Sequence, residues 1–292
     1  MKGLVEALSS ETSVFAVELR PPRAELDSAA GMDAWIDTYH SVRGLTRRGI
    51  GVFLTDSAVG TQEENNLRHL STNLGPDVAH ARVVPFLTSK HSLEFCLSYA
   101  EQTWQEGFPS LVVLGGDRSV GRPRSVEHAW QLRQQIRSRV PDLSLGGWAN
   151  PYGHAEQQAG FIEDPTFTAE YYLTQIVSHL DPAPVERFLD ELRRRRIDTP
   201  GIFGVFYYRS ANRKTLETLR RFLPVPVEAL IAEFNTGATA IDICARTIAE
   251  MRARGVKHFY ISNLPLSGTA TTLEAILERA GVPASQLGRA LT

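Results

Sequence analysis

The stretch FAVELRPPR, Phe15–Arg23, forms the first apolar run of the chain and carries one carboxylate. Alternate side chains of a strand face opposite sides, so Glu18 lies on one face and the apolar side chains of Phe15 and Val17 lie on the other. Two prolines end the run, and no G-x-G-x-x-G follows it. A strand that leads into prolines rather than a glycine-rich turn argues against an open, doubly wound dinucleotide-binding sheet.

The carboxylate of this run has two interpretations from the residues alone. Glu18 can be a charge on an edge strand, in water or paired with Arg20 or Arg23, because glutamate is rarely fully buried without a partner. It can instead point into a site, where burial shifts a carboxyl pKa and suits it to chemistry. The stretch itself leaves both open.

Short apolar runs alternate with longer amphipathic segments along the rest of the chain. Alternation of strand and helix indicates parallel strands, and eight such units favour a closed barrel. The predicted strands are 14–19, 51–55, 82–88, 110–115, 143–149, 171–177, 202–208 and 257–262. The predicted helices are 31–48, 62–73, 92–106, 125–139, 183–196, 212–222 with 226–234, 239–254 and 270–280. The segment EQQAGFIEDPTFTA after the fifth strand is weakly helical, so we expect a loop or a single turn there.

Length and composition fit a single α/β domain. The chain has 292 residues, and a (β/α)8 TIM barrel takes about 250; we therefore expect one barrel over 1–292 with a C-terminal helix. The formal net charge is −2 with both signs interspersed, so no basic field favours nucleic acid or an anionic membrane. The basic run Arg193–Arg196 ends a predicted helix, where cations complement the helix dipole.

Other sequence features bear on location and cofactors. Cys96 and Cys244 lie far apart and form no C-x-x-C pair, which predicts reduced thiols in a cytoplasmic protein. The N-terminus has no secretory pattern, and no run of 18 apolar residues occurs, so we expect no transmembrane helix. We expect no metal site, and the sequence leaves the oligomeric state open.

Polar residues collect where the predicted strands end. Barrel enzymes place their sites at the carboxyl ends of the strands, so these residues predict a site at one mouth. They are Glu18, Thr55, Asp56, Thr88, Asp117, Asn150, His154, Gln175, Tyr207, Tyr208 and Asn263.

A family resemblance adds to this pattern. FAVELRPPR, LGGDR, NPYGH, LTQ, PGIFGVFYY and GVKHFYISN occur in this order, and the chain thereby resembles the methylenetetrahydrofolate reductases over almost its whole length. The resemblance implies a (β/α)8 barrel that reduces 5,10-methylenetetrahydrofolate to 5-methyltetrahydrofolate.

The resemblance also implies roles for four residues. Glu18 matches the general acid, and Asp117 matches the aspartate that faces the pterin and the cationic intermediate. Gln175 matches a glutamine that contacts folate and the reductant, and Tyr208 falls where the family has an aromatic residue that packs on the folate or nicotinamide ring. From the residues alone, Asp117 can equally be a turn aspartate, Gln175 a strand-end amide and Tyr208 a core aromatic.

The chemistry explains the need for two carboxyl groups. The methylene group bridges two nitrogens, and a proton must reach N10 before an N5 iminium ion can accept hydride. Desolvation at an apolar mouth raises a carboxyl pKa and keeps Glu18 partly protonated. Asp117, which we expect the amides of Gly115 and Gly116 to keep ionised, then stabilises the cation.

Several positions depart from the flavin-dependent members of this family. Phe86 stands in place of a histidine, Gly115 in place of an arginine and Asn150 in place of a tyrosine, and the helix with a phosphate-side lysine is predicted to be shortened here. Without those side chains, each buried phosphate oxygen of a bound flavin would need another hydrogen-bond partner. The sequence therefore resembles the flavin-free branch, in which a nicotinamide donates hydride directly, and we expect FAD to be absent.

We expect NADH as the co-substrate, because no arginine-rich pocket for a 2′-phosphate is evident. The predicted nicotinamide contacts are Thr55, Thr88, Asn150 and His154; for His154, capping of a helix N-terminus is an equal alternative. Two other functions stay open: a flavin-dependent reductase with new cofactor contacts, and a folate-binding barrel without catalysis.

Overall fold

Eight parallel strands close into a barrel in the computed structural model, in the order in which they occur along the chain. The structure describes residues 4–10, 13–22, 28–56 and 78–283. The strands are β1 Phe15–Leu19, β2 Gly51–Leu54, β3 Val83–Thr88, β4 Ser110–Leu114, β5 Ser144–Ala149, β6 Tyr171–Val177, β7 Gly201–Phe206 and β8 His258–Ser262. The predicted (β/α)8 fold and its eight strands are confirmed, with ends within two residues of those expected.

Helices surround this barrel. They are α1 Leu4–Leu8, α2 Ser28–Thr46, α3 Leu93–Gln105, α4 Ala129–Arg139, α5 Ala155–Glu163, α6 Ala183–Arg195, α7 Arg213–Arg220, α8 Val227–Asn235, α9 Ala240–Ala253 and α10 Thr269–Arg279. Single 3₁₀ turns lie at His80–Arg82 and Pro165–Phe167. The predicted helix 62–73 lies outside the described residues. No described helix combines the length and the apolar character that crossing a membrane requires.

The segment after β5 differs from the prediction. The expected loop is the nine-residue helix α5 followed by a 3₁₀ turn, so this crossover is not reduced to a loop. Only Ala159 and Ile162 of α5 are buried, which leaves little helical periodicity in the sequence. The helix is stabilised by its packing against α6 and by an ion pair of Glu163 with Arg195 at 2.8 Å, and less by the helix propensity of its own residues.

Inside the barrel, apolar side chains form a closed core below the carboxyl ends of the strands. Ala16, Phe53, Val112 and Leu173 pack there, together with Leu4, Ala7 and Leu8 of helix α1. Helix α1 precedes β1, so it covers the amino-terminal end of the barrel. In the part of the chain that the structure describes, the carboxyl-terminal mouth is therefore the end of the barrel that α1 leaves uncovered.

Two tyrosine rings in this interior occupy space that is free because the neighbouring residues are glycines. A Cβ on Gly146 would lie 2.7 Å from the ring of Tyr171, and one on Gly204 would lie 2.5 Å from the hydroxyl of Tyr260. The Tyr260 hydroxyl donates to the carbonyl of Thr174 at 2.6 Å, at a register shift of β6 against β7. The glycines thus admit large rings that fill the barrel up to the level of the mouth.

Candidate active site

Glu18 lies at the mouth and faces the interior of the barrel. Its neighbours Val17 and Leu19 pack on the outer, helix-facing side, whereas Ala16, which shares its face, belongs to the inner core. The side chain therefore has the inward orientation that the second interpretation of this strand requires, and its role in chemistry stays a prediction.

The Glu18 carboxyl is held in a largely apolar setting. Ser262, at the end of β8, donates its hydroxyl to Oε2 of Glu18 at 2.5 Å. Below lie Tyr260 and Phe53, whose rings meet edge to face with centroids 5.9 Å apart. Burial raises the pKa of Glu18 above its ordinary value, and the Ser262 hydrogen bond offsets only part of that rise. This shift moves the balance of the half-buried Glu18 toward the protonated carboxyl, which is the direction that a proton donor requires.

A second polar group joins the ends of β2 and β3. Asp56 Oδ2 accepts hydrogen bonds from the Thr88 amide at 2.7 Å and from the Thr88 hydroxyl at 2.9 Å. The His91 Nε2 lies 2.9 Å from both carboxylate oxygens of Asp56. Thr88 was a predicted nicotinamide contact, and in the structure its hydroxyl donates a hydrogen bond to Asp56. The hydroxyl of Thr55, another predicted nicotinamide contact, lies 3.5 Å from the Leu19 carbonyl.

Asp117 lies in the loop after β4 and is held ionised by its own turn. Its Oδ1 accepts from the amide of Ser119 at 2.8 Å and from the Ser119 hydroxyl at 2.9 Å. These bonds lower the pKa of Asp117, with a further contribution from the charge of Lys90. The bonds that hold Asp117 thus come from Ser119 and not from the expected donors, the amides of Gly115 and Gly116.

Lys90 and Arg124 fix the rest of this loop. The buried Lys90 ammonium donates to the carbonyls of Val120 at 2.8 Å and Arg122 at 2.7 Å. The Arg124 guanidinium donates to the carbonyl of Gly116. A Cβ on Gly115 would lie 2.7 Å from the Arg124 Cζ. Arg124 thus occupies the space above Gly115 and brings a cation to the β4 side of the mouth.

The loop after β5 holds two further predicted contacts. Asn150 Oδ1 accepts from the Tyr152 amide at 3.1 Å. His154 occupies the position just before α5, but its side chain makes no capping hydrogen bond, so capping through the imidazole is not what the structure shows. The exposed imidazole lines an open depression of about 480 Å³ together with Tyr152 and Arg187.

Gln175 and Tyr208 differ in their access to the mouth. Gln175 is half-buried at the β6 irregularity, and its Oε1 accepts from the Ile176 amide at 2.9 Å. Tyr208 is only 6% exposed and packs with Leu216 and Leu230 in a cluster beneath α7–α9. The structure therefore gives Tyr208 the surroundings of a core aromatic, and its contact with a ligand stays a prediction.

Three side chains at the mouth, those of Asp56, His91 and Ser262, were not predicted from the sequence to have a role there. Asp56 was noted only as a strand-end residue, and the partners His91 and Ser262 were not singled out. Ser262 is the last residue of β8, and strand pairing brings the end of β8 beside Glu18. Reading the last residue of each strand around the closed ring would have found it. Among the described residues, no group of three His, Cys, Asp or Glu side chains is placed to hold a metal ion.

Comparison with known proteins shows the fold. No family model and no curated protein matches the chain. A solved structure titled as an uncharacterized protein from Clostridium thermocellum that binds two copies of 5-methyl-5,6,7,8-tetrahydrofolic acid matches with a TM-score of 0.66 and 18% identity, over 94% of this chain and 96% of that one. An Aquifex aeolicus VF5 protein matches with a TM-score of 0.52 and 9% identity over 99% of both chains. A 2,3-dimethylmalate lyase matches with a TM-score of 0.50 and 12% identity, over 96% of this chain and 86% of that one.

Proposed function

We propose that this chain reduces 5,10-methylenetetrahydrofolate to 5-methyltetrahydrofolate by direct hydride transfer from NADH. The observation that carries the proposal is the inward-facing Glu18 carboxyl, whose pKa is raised by burial and which is held by Ser262. The barrel similar to this one that binds 5-methyltetrahydrofolate supports a folate as the ligand.

Glu18 acts first in the proposed reaction. Its proton passes to N10 of the folate, the bond from N10 to the methylene carbon opens, and the electron pair of N5 forms an iminium ion with that carbon. A general acid of this kind contributes about 10² to 10⁴ in rate. Desolvation of the carboxyl raises the pKa of Glu18 and so favours the form that carries this proton.

The second step is the transfer of hydride. The C4 hydride of NADH goes to the iminium carbon, which yields the methyl group and NAD⁺, and Glu18 regains its proton from water. The ionised Asp117 carboxylate on the β4 side stabilises the cation before transfer. Thr55, Asn150, His154 and Gln175 are the proposed contacts for the two ligands.

The residues at the mouth do not match the donors of a flavin site. Phe86, where the flavin-dependent enzymes have a histidine, is buried in the apolar interior. Gly115 and Asn150 stand where those enzymes have an arginine and a tyrosine. The proposal accordingly contains no flavin step.

A folate-binding barrel without catalysis is the second candidate, because the similar barrel is described as binding 5-methyltetrahydrofolate and not as reducing a folate. NADH oxidation that depends on methylenetetrahydrofolate distinguishes the two functions.

The kinetic pattern tests direct transfer. Both substrates must be present together, so reciprocal plots should intersect, and the purified protein should lack flavin absorbance near 450 nm. Parallel plots, which indicate a ping-pong cycle, together with bound flavin would contradict direct transfer.

A further inference from the structure

Trp148 on β5 has an orientation that follows from its neighbours in the strand. A Cβ on Gly146 would meet the ring of Tyr171, which belongs to the inner core. A Cβ on Gly147 would meet the ring of Phe167, which packs outside the barrel. Trp148 therefore shares the inward face of Gly146, because alternate residues of a strand point the same way.

Inward side chains of this barrel are almost all buried, and Trp148 is not. Tyr171 and Tyr260 are 0% and 2% exposed, whereas Trp148 is 37% exposed. Helices cover the outside of the barrel and α1 covers its lower end, so the exposed part of the indole opens on the mouth. A closed ring of eight strands puts β5 four strands from β1 in either direction. Trp148 and Glu18 consequently stand on opposite walls of the mouth.

An indole exposed in a concave mouth is suited to a flat ligand. Aromatic rings gain from offset stacking beyond the area that they bury, and the indole face attracts cations more strongly than other side-chain rings do. In the proposed reaction the folate iminium and the oxidised nicotinamide both carry positive charge, so an indole beside either ring would favour the charged species.

We propose that Trp148 is the ring-stacking residue of this site and packs against the planar nitrogen heterocycle of a bound substrate. This inference rests on the proposed function for its ligands, and the two candidate sources of the heterocycle are the pterin of the folate and the nicotinamide of NADH. Glu18 protonates from one wall while Trp148 supports a ring from the other.

Calorimetric titration of the full chain with 5-methyltetrahydrofolate and, separately, with NADH tests the inference without turnover. Trp148→Ala should raise the dissociation constant of at least one ligand about tenfold or more, and Trp148→Phe, which keeps a ring, should raise it by about threefold at most. Trp104→Ala is the matched control, because Trp104 is 42% exposed but lies on the outer helix α3; it should bind like the unsubstituted chain.

The two titrations identify the ring. Weakened folate binding assigns the pterin to Trp148, and weakened NADH binding assigns the nicotinamide. Unchanged binding of both ligands by a folded Trp148→Ala protein overturns the inference while leaving the proposed function intact. If Trp148→Ala does not fold, a Trp148→Leu protein takes its place, and unchanged binding there overturns the inference equally.

The proposed function can also fail separately. If the chain binds folate through Trp148 but does not oxidise NADH with methylenetetrahydrofolate, the reductase function is refuted and the stacking role of Trp148 stands. If the chain binds neither ligand, both proposals are refuted.

Discussion

Gly204→Ala should disturb the floor of the site, because the missing side chain of Gly204 makes room for Tyr260. An added Cβ would lie 2.5 Å from the Tyr260 hydroxyl and 2.6 Å from its Cζ. The ring is 2% exposed, so it has little free space into which it can move. The hydrogen bond from Tyr260 to the Thr174 carbonyl, 2.6 Å long, should be lost or stretched.

The expected cost follows from two contributions. Overpacking a core by one carbon costs about 1–3 kcal/mol, and a buried hydroxyl and carbonyl left unpaired cost about 1–3 kcal/mol. We therefore expect the free energy of unfolding to fall by roughly 2–6 kcal/mol. Because Tyr260 lies beneath Glu18, NADH oxidation per folded molecule should also fall.

Urea denaturation measures this cost, and Gly160→Ala is the matched control. Gly160 lies within α5, and its added Cβ would have Arg195 Nη1 as its nearest neighbour at 3.7 Å, so helix propensity should stabilise this variant by up to about 1 kcal/mol. Adding Tyr260→Phe to Gly204→Ala removes the closest contact and should recover part of the loss. A Gly204→Ala protein as stable as the Gly160→Ala protein would refute the position of Tyr260.

Three further variants test other parts of the structure. Arg133→Met should lower the free energy of unfolding by about 2–4 kcal/mol in urea, because it leaves the buried carbonyls that accept from Arg133 at 2.8 and 3.3 Å without their donor; an unchanged midpoint would contradict this. Lys90→Met should release the loop after β4, seen as faster hydrogen exchange of the Ser119 amide, and equal exchange would count against that anchor. For Glu18→Gln, the raised pKa of Glu18 means that the native state disfavours the ionised carboxyl. The variant should match the parent in stability at acid pH and exceed it as pH rises from the unfolded pKa of about 4.3 toward the higher native pKa; a variant that becomes less stable than the parent with rising pH would contradict the raised pKa of Glu18.

The barrel could be predicted because its signals are local. Strand and helix periods alternate along the chain, and the pattern of Phe15, Val17 and Leu19 placed Glu18 on the opposite face of its strand, although it left open whether that face was the inner one. Helix α5 could not be predicted well, because its stability comes from packing on α6 and not from its own composition.

The site was predicted less completely than the fold, because its contacts join residues distant in sequence. Ser262 meets Glu18 across 244 positions, and no periodicity reveals such a pair. The burial of Tyr208 also depends on distant residues: helices α7–α9 pack over the end of β7 and cover its ring, and its contact with a ligand stays a prediction. The inward orientation of Trp148 could have been predicted, because Trp148 and Gly146 share one face of β5. The glycines next to Trp148 weakened the strand pattern, however.

The central claim is that Glu18 donates the proton that opens the methylene bridge, and single-turnover NADH oxidation with methylenetetrahydrofolate tests it most directly. Glu18→Gln keeps the shape and the hydrogen-bonding reach of the side chain but removes the acid. We predict a folded protein that binds both ligands with unchanged affinity and is slower by about 10² or more. A Glu18→Gln protein that oxidises NADH at the rate of the unsubstituted chain would contradict the account.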